Sequence, residues 1–370
     1  VGTTLQLTLV AVVAAAAGVA VGWRLLGAGP LRSGAAAAGT AGAVGVVAGV
    51  PAVVVAVNPI LAAAHLLYLA IVITLPVLAA AGVLVPWLRQ AQRPSFVVTA
   101  VLVLVAVVVP AVGWYATHVE PYRLRVDRVT IVTPLVDEPV RIGVLADVQT
   151  RAITGHERRA VELLLAENPD VILVPGDLHQ GTEAEFAAAL DDFRALLSEL
   201  TAAPAGAFAV SGDSEHRGEL VELAEGTGVT VLDDRVVAIE VRGQRLVIAG
   251  IEEYPLSGSG RTSLAKLDLL GGDGFRILLS HLPDVALDLQ RGTVDLVVSG
   301  HTHGGQVAIP GFGPLVTRTA VSRDVAAGGL GDVDGTPVYV STGVGMARTT
   351  APQVRLFVRP SVGVIDLVPE

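Results

Sequence analysis

The stretch VILVPGD (Val171–Asp177) decides the fold. Four apolar residues, three of them β-branched, read as a strand covered on both faces, and a Pro-Gly turn with an aspartate ends it. The same arrangement stands on either side, in RIGVLAD (Arg141–Asp147) and GAFAVSGD (Gly206–Asp213). Between and after these strands lie amphipathic stretches that read as helices: HERRAVELLLAENPD (His156–Asp170), TEAEFAAALDDFRALLSEL (Thr182–Leu200) and GELVELAEGTG (Gly218–Gly228). Strand–helix alternation of this kind implies parallel βαβ units. Further on, strands dominate: RLVIAGI (Arg245–Ile251), FRILLSH (Phe275–His281), DLVVSGH (Asp295–His301), PVYVSTG (Pro337–Gly343) and VGVIDLV (Val362–Val368).

Polar residues stand where the strands stop. Asp147, Asp177, Asp213 and His281 each follow a strand, and His301 and His303 follow another within SGHTHGGQV (Ser299–Val307). Singly, an aspartate after a strand is a turn or cap residue, and a strand-end histidine is a hydrogen-bonded one. Six at successive strand ends point to one site, because ligands of open α/β sheets collect at the carboxyl ends of strands. The chain has no cysteine, so a metal here must use histidine, carboxylate or amide oxygen.

Charge divides the chain in two. Val1–Ala116 contains no acid and only four basic residues, Arg24, Arg32, Arg89 and Arg93, which leaves 21 basic against 35 acidic residues beyond, formally −14. Residues 117–370 therefore form an acidic domain with a single lysine, Lys266, a composition that argues against nucleic-acid binding. Residues 1–116 form a membrane region with four apolar runs near the 20 or so residues a spanning helix needs: Leu5–Gly22, Gly34–Val57, Ile60–Leu88 and Phe96–Tyr115. The second run is Gly/Ala-rich and only weakly hydrophobic, so three spans are the rival reading. The first lacks the basic n-region of a secretory signal, and more apolar segments follow it. With four spans the basic residues share one side, and the positive-inside rule makes that side cytoplasmic and the acidic domain extracytoplasmic; Arg123, Arg125 and Arg128 pull the other way. The expectation is a multi-pass cell-membrane protein. The absence of acids from the spans leaves little for a cation-transport path. His65 and Tyr68 in the third run are read as packing or interhelical hydrogen-bonding residues.

The blocks Asp147-Val148-Gln149, Gly176-Asp177, Gly212-Asp213, Ser280-His281 and Gly300-His301-Thr302-His303 resemble, in order, those of calcineurin-like metallophosphoesterases. The likeness runs from about Glu120 to the C-terminus. GHTHGGQV and LLSHLPDV are most similar to the membrane-associated bacterial branch, as is the lead-in HVEPYRLRVDRV (His118–Val129). The resemblance implies a four-layer α/β sandwich and a phosphomonoester or phosphodiester hydrolase in which two divalent ions activate a hydroxide. It also implies the ligands: Asp177 between the ions, Asp147, Gln149 and His303 on one, and Asp213, His281 and His301 on the other. Asp177, Asp213 and His301 are the residues expected to carry catalysis.

The sequence departs from the family where ligand chemistry matters. Gln149 stands where a histidine is usual, and its neutral, harder oxygen favours Mn²⁺ or Mg²⁺, with iron or zinc the other candidates. Asp213 replaces an asparagine, lowering the centre's net charge from about +2 to about +1. Ser214 replaces the histidine that assists the phosphate and the departing oxygen; His216 and His179 are candidate substitutes, with Ser214 itself the third. Gln180 stands where an aspartate is frequent, and Glu215 retains an acid. The expected substrate is a phosphate ester, lipid-linked given the adjoining membrane region, and membrane lipids are the expected surroundings. The rival reading is a weakly active or non-catalytic metal- or phosphate-binding module on a membrane platform.

Overall fold

The computed structural model describes residues 2–26, 30–54, 58–216, 218–252, 260–265, 272, 274–348 and 350–370. The chain divides into two compact units: Val1–Val119 with Arg348–Gln353, and Glu120–Ala347 with Val354–Glu370.

The first unit is helical. It comprises α1 (Gly2–Arg24), α2 (Pro30–Val54), α3 (Pro59–Leu69), α4 (Leu75–Leu88) and α5 (Phe96–His118). Among the described residues, four segments are long and apolar enough to cross a membrane: Thr4–Arg24, Arg32–Val54, Pro59–Leu88 and Phe96–Tyr122. Residues 55–57, the end of the second expected span, lie outside the described residues. A wide turn at Ala70–Thr74 joins α3 to α4 just before Pro76, whose missing N–H cannot close the ordinary bond to Val72. Asn58 caps α3 through the Leu61 N–H, with Pro59 at the favoured first position. Within this unit His65 Nδ1 donates to the Thr350 carbonyl at 3.0 Å, and the Tyr68 hydroxyl lies 2.7 Å from Thr117 Oγ1, so both polar groups are satisfied.

The second unit holds two six-stranded sheets. The first has the order β1 (Arg125–Val132), β14 (Ser361–Val368), β2 (Val140–Val144), β3 (Val171–Val174), β4 (Ala207–Ala209), β5 (Thr230–Val231), and the second β12 (Gly329–Val333), β13 (Thr336–Val340), β9 (Leu296–Ser299), β8 (Phe275–Ser280), β7 (Gln244–Ile251), β6 (Val236–Val241). In the first, β2 (Val140–Val144), β3 (Val171–Val174), β4 (Ala207–Ala209) and β5 (Thr230–Val231) run parallel. In the second, β7 (Gln244–Ile251), β8 (Phe275–Ser280), β9 (Leu296–Ser299) and β13 (Thr336–Val340) do the same.

Alternate side chains of these strands serve different layers. Ile142, Val144 and Leu173 of the first sheet meet Leu246, Ile277 and Val298 of the second in a core between the sheets. Ile172 and Val174 turn the other way, beneath Leu164 of α6 (Gly155–Leu165) and Phe193 and Leu197 of α7 (Glu183–Leu200). Val247, Leu278 and Val297 face a third cluster with Val285 and with Val325 of the short helix Arg323–Ala326. Both sheets are thus covered on both faces, which is why their strands read as unbroken apolar runs. The result is a four-layer α/β sandwich.

Two helices start on capping boxes, Thr154 with Glu157 and Thr182 with Glu185. The helix expected over His156–Asp170 stops at Leu165, because Asn168 takes a left-handed φ of 53° ahead of Pro169. The first sheet is also not wholly parallel: β14 (Ser361–Val368) runs antiparallel to β2 and parallel to β1 (Arg125–Val132). β1 escapes a sequence reading because it is a half-exposed edge strand whose charged residues blur the pattern.

Phe193→Ala, which empties a fully buried site under the first sheet, should destabilise the second unit by about 3–5 kcal/mol. Thermal unfolding of the full chain in detergent would show a lowered midpoint, while Val221→Ala at an exposed position should leave it unchanged.

Candidate metal centre

Five strands of the two sheets end on one place. Asp147 and Gln149 follow β2, Asp177 follows β3, Asp213 follows β4, His281 follows β8, and His301 and His303 follow β9. The turns are tied to one another through the backbone. The Asp147 N–H donates to Gly176 O at 3.1 Å and the Gln149 N–H to Asp177 O at 2.8 Å. The His301 N–H reaches Asp147 Oδ1 at 2.9 Å, and the Ser214 N–H reaches Asp177 Oδ1 at 2.9 Å. To turn this tightly, Asp147, Gln149, Asp177, His301 and His303 adopt left-handed φ values of 49°, 35°, 58°, 70° and 49°. Such backbone is uncommon outside glycine and collects at functional sites. Glycine precedes three of the acidic or histidine positions, Asp177, Asp213 and His301, and at the last two for a different reason. A Cβ on Gly212 would lie 2.0 Å from Asp177 Oδ1, and one on Gly300 2.5 Å from Asp147 Oδ2.

The donor atoms converge. His281 Nε2 stands 3.4 Å from Asp177 Oδ1, 3.6 Å from Asp213 Oδ1 and 3.3 Å from His301 Nδ1, which is itself 3.4 Å from Asp213 Oδ2. His303 Nε2 lies 3.8 Å from Asp147 Oδ1, and the Gln149 side-chain N–H donates to Asp177 Oδ2. Outer partners fix which ring nitrogens face inward: His281 Nδ1 donates to Pro175 O at 2.8 Å and His301 Nε2 to Arg318 O at 3.1 Å. This is how proteins orient histidines for metal. Asp147 Oδ2 is buried with no hydrogen-bond partner among the described residues, an expensive state unless a cation completes it. The donor set fits divalent ions.

Electrostatics agree with the geometry. Burial, with the charge of Asp177 adding to it, pushes the Asp147 carboxyl up to about 7 despite the opposing charge of His281. For His281 burial works against the charged form, but the carboxylates of Asp177, Asp213 and Asp147 outweigh it and raise the imidazole well above its usual value. Burial, then Arg355 and His301, hold His303 well below its own.

The family model for calcineurin-like phosphoesterases matches residues 140–305. A metallophosphoesterase of Aquifex aeolicus is 30% identical over 264 residues, covering 68% of this chain and 94% of that one. The chain belongs to the calcineurin-like metallophosphoesterase family. It is accordingly a metal-dependent phosphoric ester hydrolase with divalent ions as cofactor. A Caenorhabditis elegans protein named a putative metallophosphoesterase, F40B5.2, is 32% identical over 235 residues, 59% of this chain and 46% of its own, so the chain spans about half that relative's length. A Danio rerio protein described as a transmembrane protein with a metallophosphoesterase domain is 26% identical over 224 residues, 56% of this chain and 48% of its own.

The three candidates for the missing family histidine fare differently. Ser214 lies at the cluster, but its hydroxyl donates to the His179 carbonyl at 3.0 Å. His179, expected as a substrate-assisting residue, turns away from the donors. Its buried ring packs edge-on to Phe186 and Phe193, with Nδ1 3.7 Å from Glu219, so the ring belongs to the packing beneath α7. His216 is exposed, and its backbone N–H caps onto Glu219.

Sequence reasoning noted Glu215 only as a retained acid and passed over Arg355 and Arg318. Glu215 accepts the backbone N–H groups of Asp177, Leu178 and Gly212, bracing two strand-end turns at once; burial and Asp177 push its carboxyl up to about 8. Arg355 is wholly buried and donates to the carbonyls of Thr342, Gly343 and Gly345, while the Gly345 N–H holds Asp147 O at 2.7 Å. An arginine inside the apolar run VRLFV was the available signal. Arg318 offers its carbonyl to His301 and places a guanidinium nitrogen 4.0 Å from Asp213 Oδ2; nothing in its sequence context marks it.

Divalent-ion loading must displace protons held by Asp147 and His281, since both bind them more tightly than usual. Affinity for Mn²⁺ should therefore rise with pH between about 6 and 8. Calorimetry in buffers of different ionisation enthalpy should show net proton release, and uptake or no exchange would contradict it.

Proposed function

We propose that this chain is a membrane-anchored phosphoesterase in which Asp177 would help to hold both of two divalent ions. Asp147, Gln149 and His303 complete one site, and Asp213, His281 and His301 the other. The observation that carries this reading is the convergence of seven donor residues from five strand ends around one buried carboxylate. The oxygen-rich first site favours Mn²⁺ or Mg²⁺ over zinc. Two divalent ions, when bound there, would supply the positive charge and the activated water that attack on phosphorus requires.

The chain's own residues do the rest. The carboxylates and imidazoles are held in place by Glu215, Pro175 and the Arg318 carbonyl, so little reorganisation accompanies loading. The Arg318 guanidinium stands beside Asp213, where it can pair with a non-bridging phosphate oxygen in the geometry arginine favours. The four apolar helices and the Danio rerio relative's description support membrane anchoring. The shared side of Arg24, Arg32, Arg89 and Arg93 supports an extracytoplasmic phosphoesterase domain. A two-residue step from α5, ending at His118, to the domain start at Glu120 supports a substrate that is itself lipid-linked.

Asp177→Asn should lose both ions and at least about 10³-fold in turnover of an aryl phosphate ester. His303→Ala should lose one ion and keep the other, as counted by mass spectrometry of the desalted full chain. Unchanged turnover in Asp177→Asn would overturn the reading. Arg318→Met should raise KM by about 10–100-fold, the worth of one charge-assisted bond, at unaltered metal content. Steady-state kinetics beside metal analysis separates the two.

A further inference from the structure

A hairpin beside the metal centre is apolar on the outside. Its strands are β10 (Ala308–Ile309) and β11 (Gly313–Pro314), and it begins five residues after His303. Ile309, Phe312, Leu315 and Val316 are 47%, 55%, 50% and 48% exposed. Ten large apolar side chains are exposed from Glu120 onward among the described residues, and four of them fall within these eight consecutive positions. A fifth, Phe357, follows Leu356, whose carbonyl accepts the Ala308 N–H at the hairpin's base. Scattered exposed apolar residues need no explanation, but a cluster on one protruding turn marks an interaction surface.

Charge narrows the partner. Leu296–Arg323 contains no acid, although the chain from Glu120 onward carries 35, and it does contain Arg318 and Arg323. The Arg323 guanidinium lies 4.1 Å from the centre of the Phe312 ring. Exposed apolar side chains flanked by arginines, on an otherwise acidic domain, match the boundary of a bilayer with anionic headgroups. The covalent tether keeps such a surface within reach, because the domain starts two residues after an apolar helix long enough to span.

We propose that the hairpin Ala308–Val316 inserts its apolar tip into the headgroup layer of an anionic bilayer. The hairpin is seated without slack on the metal-site turn: a Cβ on Gly305, two residues after His303, would meet Pro314 Cβ at 2.5 Å and Val316 O at 2.8 Å. Insertion therefore fixes the depth of the centre relative to the headgroups. A lipid phosphate ester can then reach the ions while its tails stay among Ile309, Phe312 and Leu315. This consequence rests on the phosphoesterase reading; the insertion itself does not.

The chain has no cysteine, so single cysteines can be labelled cleanly. The full chain carrying Phe312→Cys, or Leu330→Cys as an exposed control, is labelled with a nitrobenzoxadiazole dye. It is reconstituted in nanodiscs of phosphatidylglycerol and phosphatidylcholine. Insertion shifts the emission of the label at 312 to the blue and lets nitroxide-bearing lipids quench it, more in the anionic discs than in phosphatidylcholine alone, and neither effect appears at 330. A label at 312 as water-exposed as that at 330 overturns the proposal. So does protection that depends on protein concentration and not on lipid, which would assign the face to a second copy. In kinetics, Ile309→Ser with Phe312→Ser should raise KM about tenfold for a long-chain lipid phosphate, leaving a water-soluble aryl phosphate unaffected. If the wild type hydrolyses neither ester, the phosphoesterase reading fails while the fluorescence still decides the insertion.

Discussion

The structure depends on what it costs to bury the carboxylate of Asp177. Its Oδ1 takes the Ser214 N–H and faces His281, its Oδ2 meets the Gln149 amide, and its own backbone is bonded to Gln149 and Glu215. The turns after β2, β3 and β4 are therefore cross-tied around one side chain. Asp147 is buried beside it, with ligand oxygens of the two carboxyls within 4.8 Å, and at roughly that spacing two carboxylates repel by about 3–4 kcal/mol at an effective dielectric of 20. Protonation is one escape, and the raised value of Asp147 is its signature. A divalent ion is the stronger one, because it attracts each carboxylate with twice a unit charge and removes the repulsion from the balance. The centre is thus a place where the fold accepts unfavourable burial that only cations reverse.

The backbone follows from the same constraint. Five residues that carry donors sit at left-handed φ, a conformation that aspartate and histidine tolerate better than β-branched residues do. Straight strand extensions would project these side chains to alternate faces and separate them. The reversed φ turns each back over the strand ends, and the network of N–H bonds to Asp147 and Asp177 holds them there. Glycine at 212 and 300 is required because a neighbouring carboxylate occupies the space a side chain would need.

Much of this was legible in the sequence, and the reasons for the rest are physical. Buried parallel strands write themselves as apolar runs such as VILV, and a group at the end of each run shows where the sheet presents chemistry. The apolar helices of the first unit are legible for the same reason, as length and apolarity are local. What escapes is whatever depends on tertiary placement. Nothing local distinguishes His179, packed against Phe186 and Phe193, from a histidine aimed at substrate. Arg318 lies in a loop outside any strand-end pattern and acts on His301 through its carbonyl, which every residue possesses. The edge strand β1 is half-exposed, and its pairing with β14 joins positions more than 200 residues apart.

Asp213 acquires a different meaning once Arg318 is seen. On sequence alone the added carboxylate weakens the pull of the centre on an anionic phosphate. In the structure the guanidinium stands 4.0 Å from it, so the extra negative charge comes with a positive one. The pair contributes little to stability, since both side chains are roughly two-fifths exposed and such pairs are worth about 0–1 kcal/mol. Its value lies in position. A carboxylate at 213 keeps a guanidinium beside the proposed phosphate position, where Ser214 supplies no imidazole. Arginine cannot deliver a proton near neutral pH, so it replaces the charge of the absent histidine and not its acidity. The exchange of Asn for Asp and of His for Ser thus reads as one change in how the phosphate is held, with the departing oxygen left to find its proton in solvent.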